Sequence, residues 1–341
     1  GGGAMSPQPM TAGPRTLRLG TRRSRLATTQ SGHVADALQA LGHEIELVEI
    51  VTEGDISTAP LEQIGGTGVF ASALRMALHN SDIDFAVHSL KDLPTTPEPG
   101  LIVAATPRRE DVRDVVIARD GLTLGELPPG SVVGTGSPRR EAQLRALGLG
   151  LEFTGIRGNV ETRIARVTAG DVDAIILARA GLARLGLTHL ATEVLDPIQM
   201  LPAAGQGALA VECRADDAEL IALLAAVDDA DTRACITAER TVLRELEAGC
   251  TAPIGVLGEI VEGLERPELS LRAFVGTRDG AVELRRSMVG AADDPEGVGI
   301  RLARLLLQDG AAQAREPRPP TDGPPSTPPP TSVTASMESD Q

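Results

Sequence analysis

What most limits the folds open to this chain is a regular alternation of short apolar runs with longer segments whose apolar residues recur at helical spacing. "TLRLGT" and "IELVEIVT" read as strands, and the intervening "SRLATTQSGHVADALQAL" sets Val34, Ala37, Leu38 and Leu41 on one helical face. "GGTGVFASALRMAL" is a glycine-rich turn opening a second helix, and "DIDFAVHSL" is a strand that ends at Lys91 and Asp92. Strand, helix and strand in succession predict a mostly parallel sheet covered by helices. The pattern restarts through "DVVIARD", "GSVVGTGSPRR", "EAQLRALG", "LEFTGIRG" and "DAIILARAG", which predicts a second α/β unit. "GALAVECR" reads as a buried strand returning to the first sheet, although its pattern alone does not choose between the two sheets. From Asp231 one long helix, "DTRACITAERTVLRELEAG", precedes three alternating runs and a final helix, the order of a small α+β unit.

The expected organisation is a disordered segment 1–14, a discontinuous first domain 15–107 with 208–228, a second domain 108–207, a third 229–314, and a tail 315–341. That tail is rich in proline, serine and threonine and too poor in apolar residues to offset the entropy of ordering, so disorder is expected there. No run approaches the roughly 18 to 20 apolar residues of a membrane span, and the first residues lack the blocks of a secretory signal. A cytoplasmic location is the expectation. The formal charge of −15 argues against nucleic-acid or anionic-membrane partners, which call for a basic footprint.

Cys213, Cys235 and Cys250 are too widely spaced for a C-x-x-C pair, which argues against a disulfide framework and a cysteine zinc site; no metal is expected. Cys213 and Cys235 read as buried thiols. Cys250, in "LEAGCTAPIG", stays open between nucleophile, buried thiol and anchor. Of the 32 basic residues, Lys91 is the one lysine. A compact ammonium with rotatable donors does what a planar guanidinium cannot.

Cations gather where strands run into loops, the place where α/β sheets bind ligands. In "GTGSPRREAQL", Ser137 is a good N-cap with Pro138 at the first helical position. Arg139 and Arg140 then sit at the end of the helix dipole that disfavours cations, which predicts that they share a carboxylate or phosphate, or pair with a nearby acid. Arg157 precedes a candidate N-cap at Asn159 and Arg163 follows one turn into the helix, while Arg22 and Ser24 hold the matching place in the first unit. Asp92 is the best acid candidate, able to stabilise a developing positive charge or pass a proton. "GGTGVF" lacks the lysine of a phosphate loop and reads as a mobile lid. His88 and Ser89 point to opposite faces of a strand and do not make a hydrolase triad with Asp92.

Taken in order, "LRLGTRRSRLATTQ", "VTEGD", "AVHSLKDLPT", "GTGSPRR", "IRGNVETR", "DAIILARAGLARLGL", "LPAAGQGALAVECR" and "LEAGCTAPIG" closely resemble the porphobilinogen deaminase (hydroxymethylbilane synthase) family over about residues 16–310. The resemblance implies two type II periplasmic-binding-protein-like α/β domains, with the active cleft between them, plus a small α+β C-terminal domain. It implies a cytoplasmic, monomeric transferase of tetrapyrrole (haem) biosynthesis. Four porphobilinogen molecules are joined head to tail with loss of ammonia on a covalent dipyrromethane, and the linear hydroxymethylbilane is then released by hydrolysis. By position, the resemblance makes Cys250 the thioether anchor of the dipyrromethane and Asp92 the catalytic acid. It assigns Lys91, Thr135, Ser137, Arg139, Arg140, Arg157 and Gln206 to the cofactor, and Arg22, Ser24, Arg157, Arg163 and Arg184 to porphobilinogen and the growing polypyrrole chain. Gln63 and Thr67 stand where many relatives carry lysine, and Gly136 replaces a serine, departures that bear on lid and cofactor contacts. Two rival readings are a non-catalytic binder of an acidic metabolite, which has no need of Cys250, and a pyridoxal-phosphate enzyme using Lys91, which needs a pyridinium partner and a phosphate cup that the adjacent Asp92 does not establish.

Overall fold

Strand β1 (Thr16–Thr21) leads to Ser24, whose Oγ accepts the Ala27 amide at 3.2 Å and so starts helix α1 (Arg25–Ala40). Helix α1 buries Val34, Ala35 and Leu38 against Leu17, Leu19 and Phe85; of the face that the spacing predicts, Val34 and Leu38 are buried, whereas Ala37 is exposed and Leu41, the C-cap, faces solvent. The first unit continues through β2 (Glu44–Glu49), α2 (Val69–His79), β3 (Phe85–Ser89) and β4 (Leu101–Ala105). The second contains β5 (Asp114–Ala118), β6 (Val132–Gly134), α3 (Pro138–Ala146), β7 (Glu152–Thr154), α4 (Val160–Thr168), β8 (Ala174–Ala178), α5 (Arg179–Arg184) and β9 (Glu193–Val194). Then follow β10 (Leu209–Arg214), α6 (Ala218–Leu224), α7 (Ala230–Glu247), β11 (Ile254–Val261), β12 (Glu268–Gly276), β13 (Glu283–Ala291) and α8 (Pro295–Gln308). This computed structural model describes residues 15–51, 69–247 and 252–314, with only the backbone of Val69 and Phe70. The two terminal segments expected to be disordered, the lid positions Gln63 and Thr67, and Cys250 lie outside the described residues.

The first sheet has the order β2-β1-β3-β10-β4 and the second β7-β6-β8-β5-β9. In each, the fourth strand runs antiparallel to both of its neighbours. The two orders are therefore the same pattern. Each antiparallel strand is the one the chain enters after crossing between sheets, β5 on the way out and β10 on the way back. The register Val211↔Val87 and Cys213↔Phe85 settles which sheet takes "GALAVECR".

The crossing segments, 106–113 and 195–208, touch closely. Gly207 has φ +82°, and a Cβ there would lie 2.6 Å from the Glu110 carbonyl oxygen, so only glycine fits both the backbone and the gap. The third sheet, β11-β12-β13, is antiparallel, and α7 and α8 bury Val242, Leu246, Val298, Leu302 and Leu306 against Val256, Leu271 and Val275. Glu239 of α7, fully buried, accepts both terminal nitrogens of Arg109 at 2.6 and 2.7 Å and the Gly205 amide at 2.8 Å. One carboxylate from the third unit thus fastens both crossings.

Candidate active site

A cleft of about 720 Å³ opens between the two five-stranded sheets. Among the described residues its walls carry Arg22, Arg23, Arg25, Lys91, Arg140, Arg157, Arg163 and Arg184, eight cations facing a single carboxylate, Asp92. In a chain with 47 acidic residues against 32 basic ones, that inversion of sign is local to the cleft. Backbone adds to it. The first turns of α1 and α4 line the same space, and the Asn159 side chain caps α4 by accepting the Thr162 amide at 2.9 Å. Helix N-termini contribute partial positive charge and free N–H donors.

Lys91 and Asp92 sit in a single 3-10 turn, Leu90–Asp92, that follows β3. Two bonds fix its ends, from the Leu90 amide to the Ala208 carbonyl and from the Leu93 amide to the Leu90 carbonyl, both at 3.0 Å. The Lys91 side chain is wetted by the cleft yet surrounded by protein. Desolvation, aided by the charge of Arg140, pushes its pKa down to about 8 against the pull of Asp92. Asp92 accepts no hydrogen bond from the described residues, so its carboxylate is left to the cleft.

The arginines divide by what already holds them. Among the described residues Arg163 donates only through Nε, to the Gly158 carbonyl at 2.9 Å, and its terminal nitrogens make no further bond there. Desolvation and the nearby Arg140 lower its pKa to about 10. Arg184 is spent on Gln30 and on the Gly207 carbonyl, which joins the two walls of the cleft rather than presenting a free fork. Arg140 lines the cleft but donates to Asp114 at 2.9 Å and to the Ile176 carbonyl at 3.1 Å, and its buried Nε has no partner among the described residues.

Four positions assigned by resemblance to the cofactor do not line this cleft. Arg139 is buried beneath it and donates to Asp114 at 2.9 Å and the Leu201 carbonyl at 2.8 Å. The carboxylate that Arg139 and Arg140 share is therefore the protein's own. Asp114 is fully buried; burial alone would raise its pKa, and Arg140 and Arg139 reverse that and hold it well below the usual range. Gln206 is equally buried and donates to Asp114 and the Val112 carbonyl. Thr135 accepts the Ser137 amide, and Ser137 caps α3 through the Arg140 amide, as its position predicts. Arg22, Ser24, Lys91, Asp92, Arg140, Arg157, Arg163 and Arg184 do come together. Sequence reasoning passed over Arg23 and Arg25, which belong to the same strand-end loop as Arg22, and Gln30, two turns into α1, for which no local signal exists. Cys213 and Cys235 are buried thiols whose pKa values desolvation raises to about 11 and about 12.

Residues 17–222 match the family model described as porphobilinogen deaminase, dipyromethane cofactor binding domain, and residues 233–308 match its C-terminal domain. A porphobilinogen deaminase of Mycobacteroides abscessus is 56% identical over 300 residues, covering 86% of this chain and 98% of the relative. The chain belongs to the porphobilinogen deaminase family. A second member of that family, from Mycobacterium avium, is 57% identical over 302 residues, covering 87% of this chain and 96% of its own. Among solved structures, an arginine-specific periplasmic binding protein of Salmonella typhimurium aligns with a TM-score of 0.38 at 15% identity, over 62% of this chain and 91% of that one. A putative sulfonate-binding protein from Methylobacillus flagellatus gives 0.36 at 13%, over 70% of each chain. The strand orders above, rather than these loose alignments, define the fold. The donor set of the porphobilinogen deaminase cleft suits a dipyrromethane. Two pyrroles bearing acetate and propionate arms bring four carboxylates, and the cleft offers cations, helix N-termini and the Arg140 Nε, unpartnered among the described residues, within a volume typical of ligand sites, roughly 300–1,000 Å³.

Proposed function

We propose that this chain performs the porphobilinogen deaminase reaction, joining four porphobilinogen molecules head to tail with loss of ammonia and releasing linear hydroxymethylbilane by hydrolysis. The reading rests on the family membership and on one observation, the single carboxylate of Asp92 among eight cationic side chains that the described residues bring to the interdomain cleft. A dipyrromethane, when bound, supplies the nucleophilic pyrrole carbon on which the chain is extended, and Cys250 is the proposed point of attachment. Arg163, with two terminal nitrogens uncommitted among the described residues, and Arg22 and Arg157 beside it hold the carboxylates of incoming porphobilinogen. Lys91 and Arg140 face the cofactor's acidic arms. Asp92 opposes the positive charge that develops on the substrate's pyrrole nitrogen as ammonia departs and accepts the proton lost after coupling. Arg139, Gln206 and Thr135 serve the same cofactor indirectly, by fixing Asp114 and the start of α3. The same reading makes the protein a cytoplasmic monomer without nucleic-acid or membrane partners; among the described residues no helix is long and apolar enough to cross a membrane.

The test is an intact-mass spectrum of the purified protein beside Cys250→Ser. The wild type should carry an added mass equal to two linked pyrrole units, and the serine variant should lack it and make no hydroxymethylbilane. Product formation by a wild-type sample of unmodified mass would sink the reading.

A further inference from the structure

Asp92 is held in place by its backbone alone, since no described residue bonds its carboxylate. What holds that backbone comes from the third unit. Arg240, on α7, donates to the carbonyls of Leu93 at 3.1 Å and Pro94 at 2.7 Å, with a longer contact to Leu90 at 3.4 Å. Within the turn the Leu90 carbonyl already accepts the Leu93 amide, while the Leu93 and Pro94 carbonyls just past it accept Arg240, so the guanidinium acts as a C-cap supplied by another domain. Its hydrogen bonds all go to neutral carbonyls. Such use of a cation in a partly buried interface fixes geometry more than it adds stability, and desolvation lowers the Arg240 pKa accordingly.

Independent contacts place the same turn. Ile236, one helical turn before Arg240, packs with Leu90 and Leu93 in one apolar cluster. Gly205 closes the other side, where an added Cβ would lie 3.0 Å from the Leu90 side chain. Thr95 donates to Glu247 at 2.9 Å, fixing the chain just past the turn to the last residue of α7.

We infer that Arg240 is a positioning residue for Asp92 and Lys91, locking the turn that bears them to the helix that precedes Cys250 in sequence. The inference rests on the proposed reaction. Loss of the clamp lets the acid drift by a fraction of an ångström to an ångström without removing any ligand contact, so turnover suffers and affinity does not.

The experiment compares holoenzyme with Arg240→Gln and Arg240→Lys, following steady-state kinetics, the thermal midpoint and the titration of Lys91 in protein labelled with 13C at the lysine ε-carbon. Arg240→Gln should lower kcat on the order of 10- to 100-fold, the scale of a misplaced catalytic group, with KM within about twofold. The Lys91 midpoint should shift in the same variant, and Arg240→Lys, which keeps a charged donor, should recover most of both. An unchanged kcat with an unchanged Lys91 midpoint overturns the inference. So does a loss of kcat that tracks only the unfolded fraction while the Lys91 midpoint stays put. Absence of turnover in the wild type would instead defeat the proposed reaction, and the Lys91 titration would still decide whether Arg240 positions the turn.

Discussion

Two neighbours, Lys91 and Asp92, show how environment sorts residues of opposite charge into different tasks. Among the described residues Asp92 has no hydrogen-bond donor to satisfy it, and its carboxylate faces the cleft. Asp92→Ala is expected to abolish turnover and Asp92→Glu to leave a trace; near-normal rates in the alanine variant would reject the assigned role. Lys91 carries a pKa of about 8 in the folded state, below the ordinary 10.5. A lysine depressed by folding destabilises the native state wherever both forms would otherwise be protonated. That penalty is therefore present in full below pH 8 and is relieved as pH rises from about 8 toward 10.5, where the unfolded chain binds the extra proton. Because the chain has one lysine, 13C labelling at the ε-carbon gives a single signal, which should titrate near 8 in the native protein and near 10.5 in denaturant. A native midpoint above 10 would show that water in the cleft screens Lys91 fully.

At the scale of elements, the crossing segments are the places where small changes should matter most. Gly207→Ala puts a methyl group against the Glu110 carbonyl in a left-handed backbone, so it should cost at least about 1–2 kcal/mol in urea denaturation. An unchanged midpoint would mean that the crossing yields without strain. The elements themselves were legible in the sequence because their apolar spacing is periodic: the α1 face at Val34 and Leu38, the three strands after α7, and the caps at Ser137 and Asn159 all stand where the pattern puts them. The partnership of Arg139 with Asp114 was not, because helix-dipole reasoning says that a carboxylate is needed at that helix end but not whose. Asp114 lies 25 residues earlier at the start of strand β5, and the antiparallel pairing of β5 with β8 carries it under α3. The sheet of β10 was hidden for a related reason, since a uniformly apolar run suits any buried strand. Arg240 gave no signal at all; its partners are main-chain carbonyls, which leave no mark on residue identity.

For the whole molecule, charge and topology set different behaviours. A positive cleft in a protein of net charge −15 draws in anionic substrate only within about a Debye length, roughly 8–10 Å at physiological salt. Raising ionic strength should therefore raise KM for porphobilinogen while leaving kcat nearly constant, as steady-state assays at low and high sodium chloride can measure. An equal fall in kcat would place the salt effect on the chemistry instead. Topology bears on how the molecule is made. The second sheet is drawn from one continuous stretch between β5 and β9, whereas the first has β10 lodged between β3 and β4. During synthesis β4 has no hydrogen-bonding neighbour in its own sheet until residues 209–214 have left the ribosome. A nascent chain can thus complete the later-encoded wall of the cleft while the earlier one waits with a strand-wide gap, and the two walls mature in the reverse of their order along the chain.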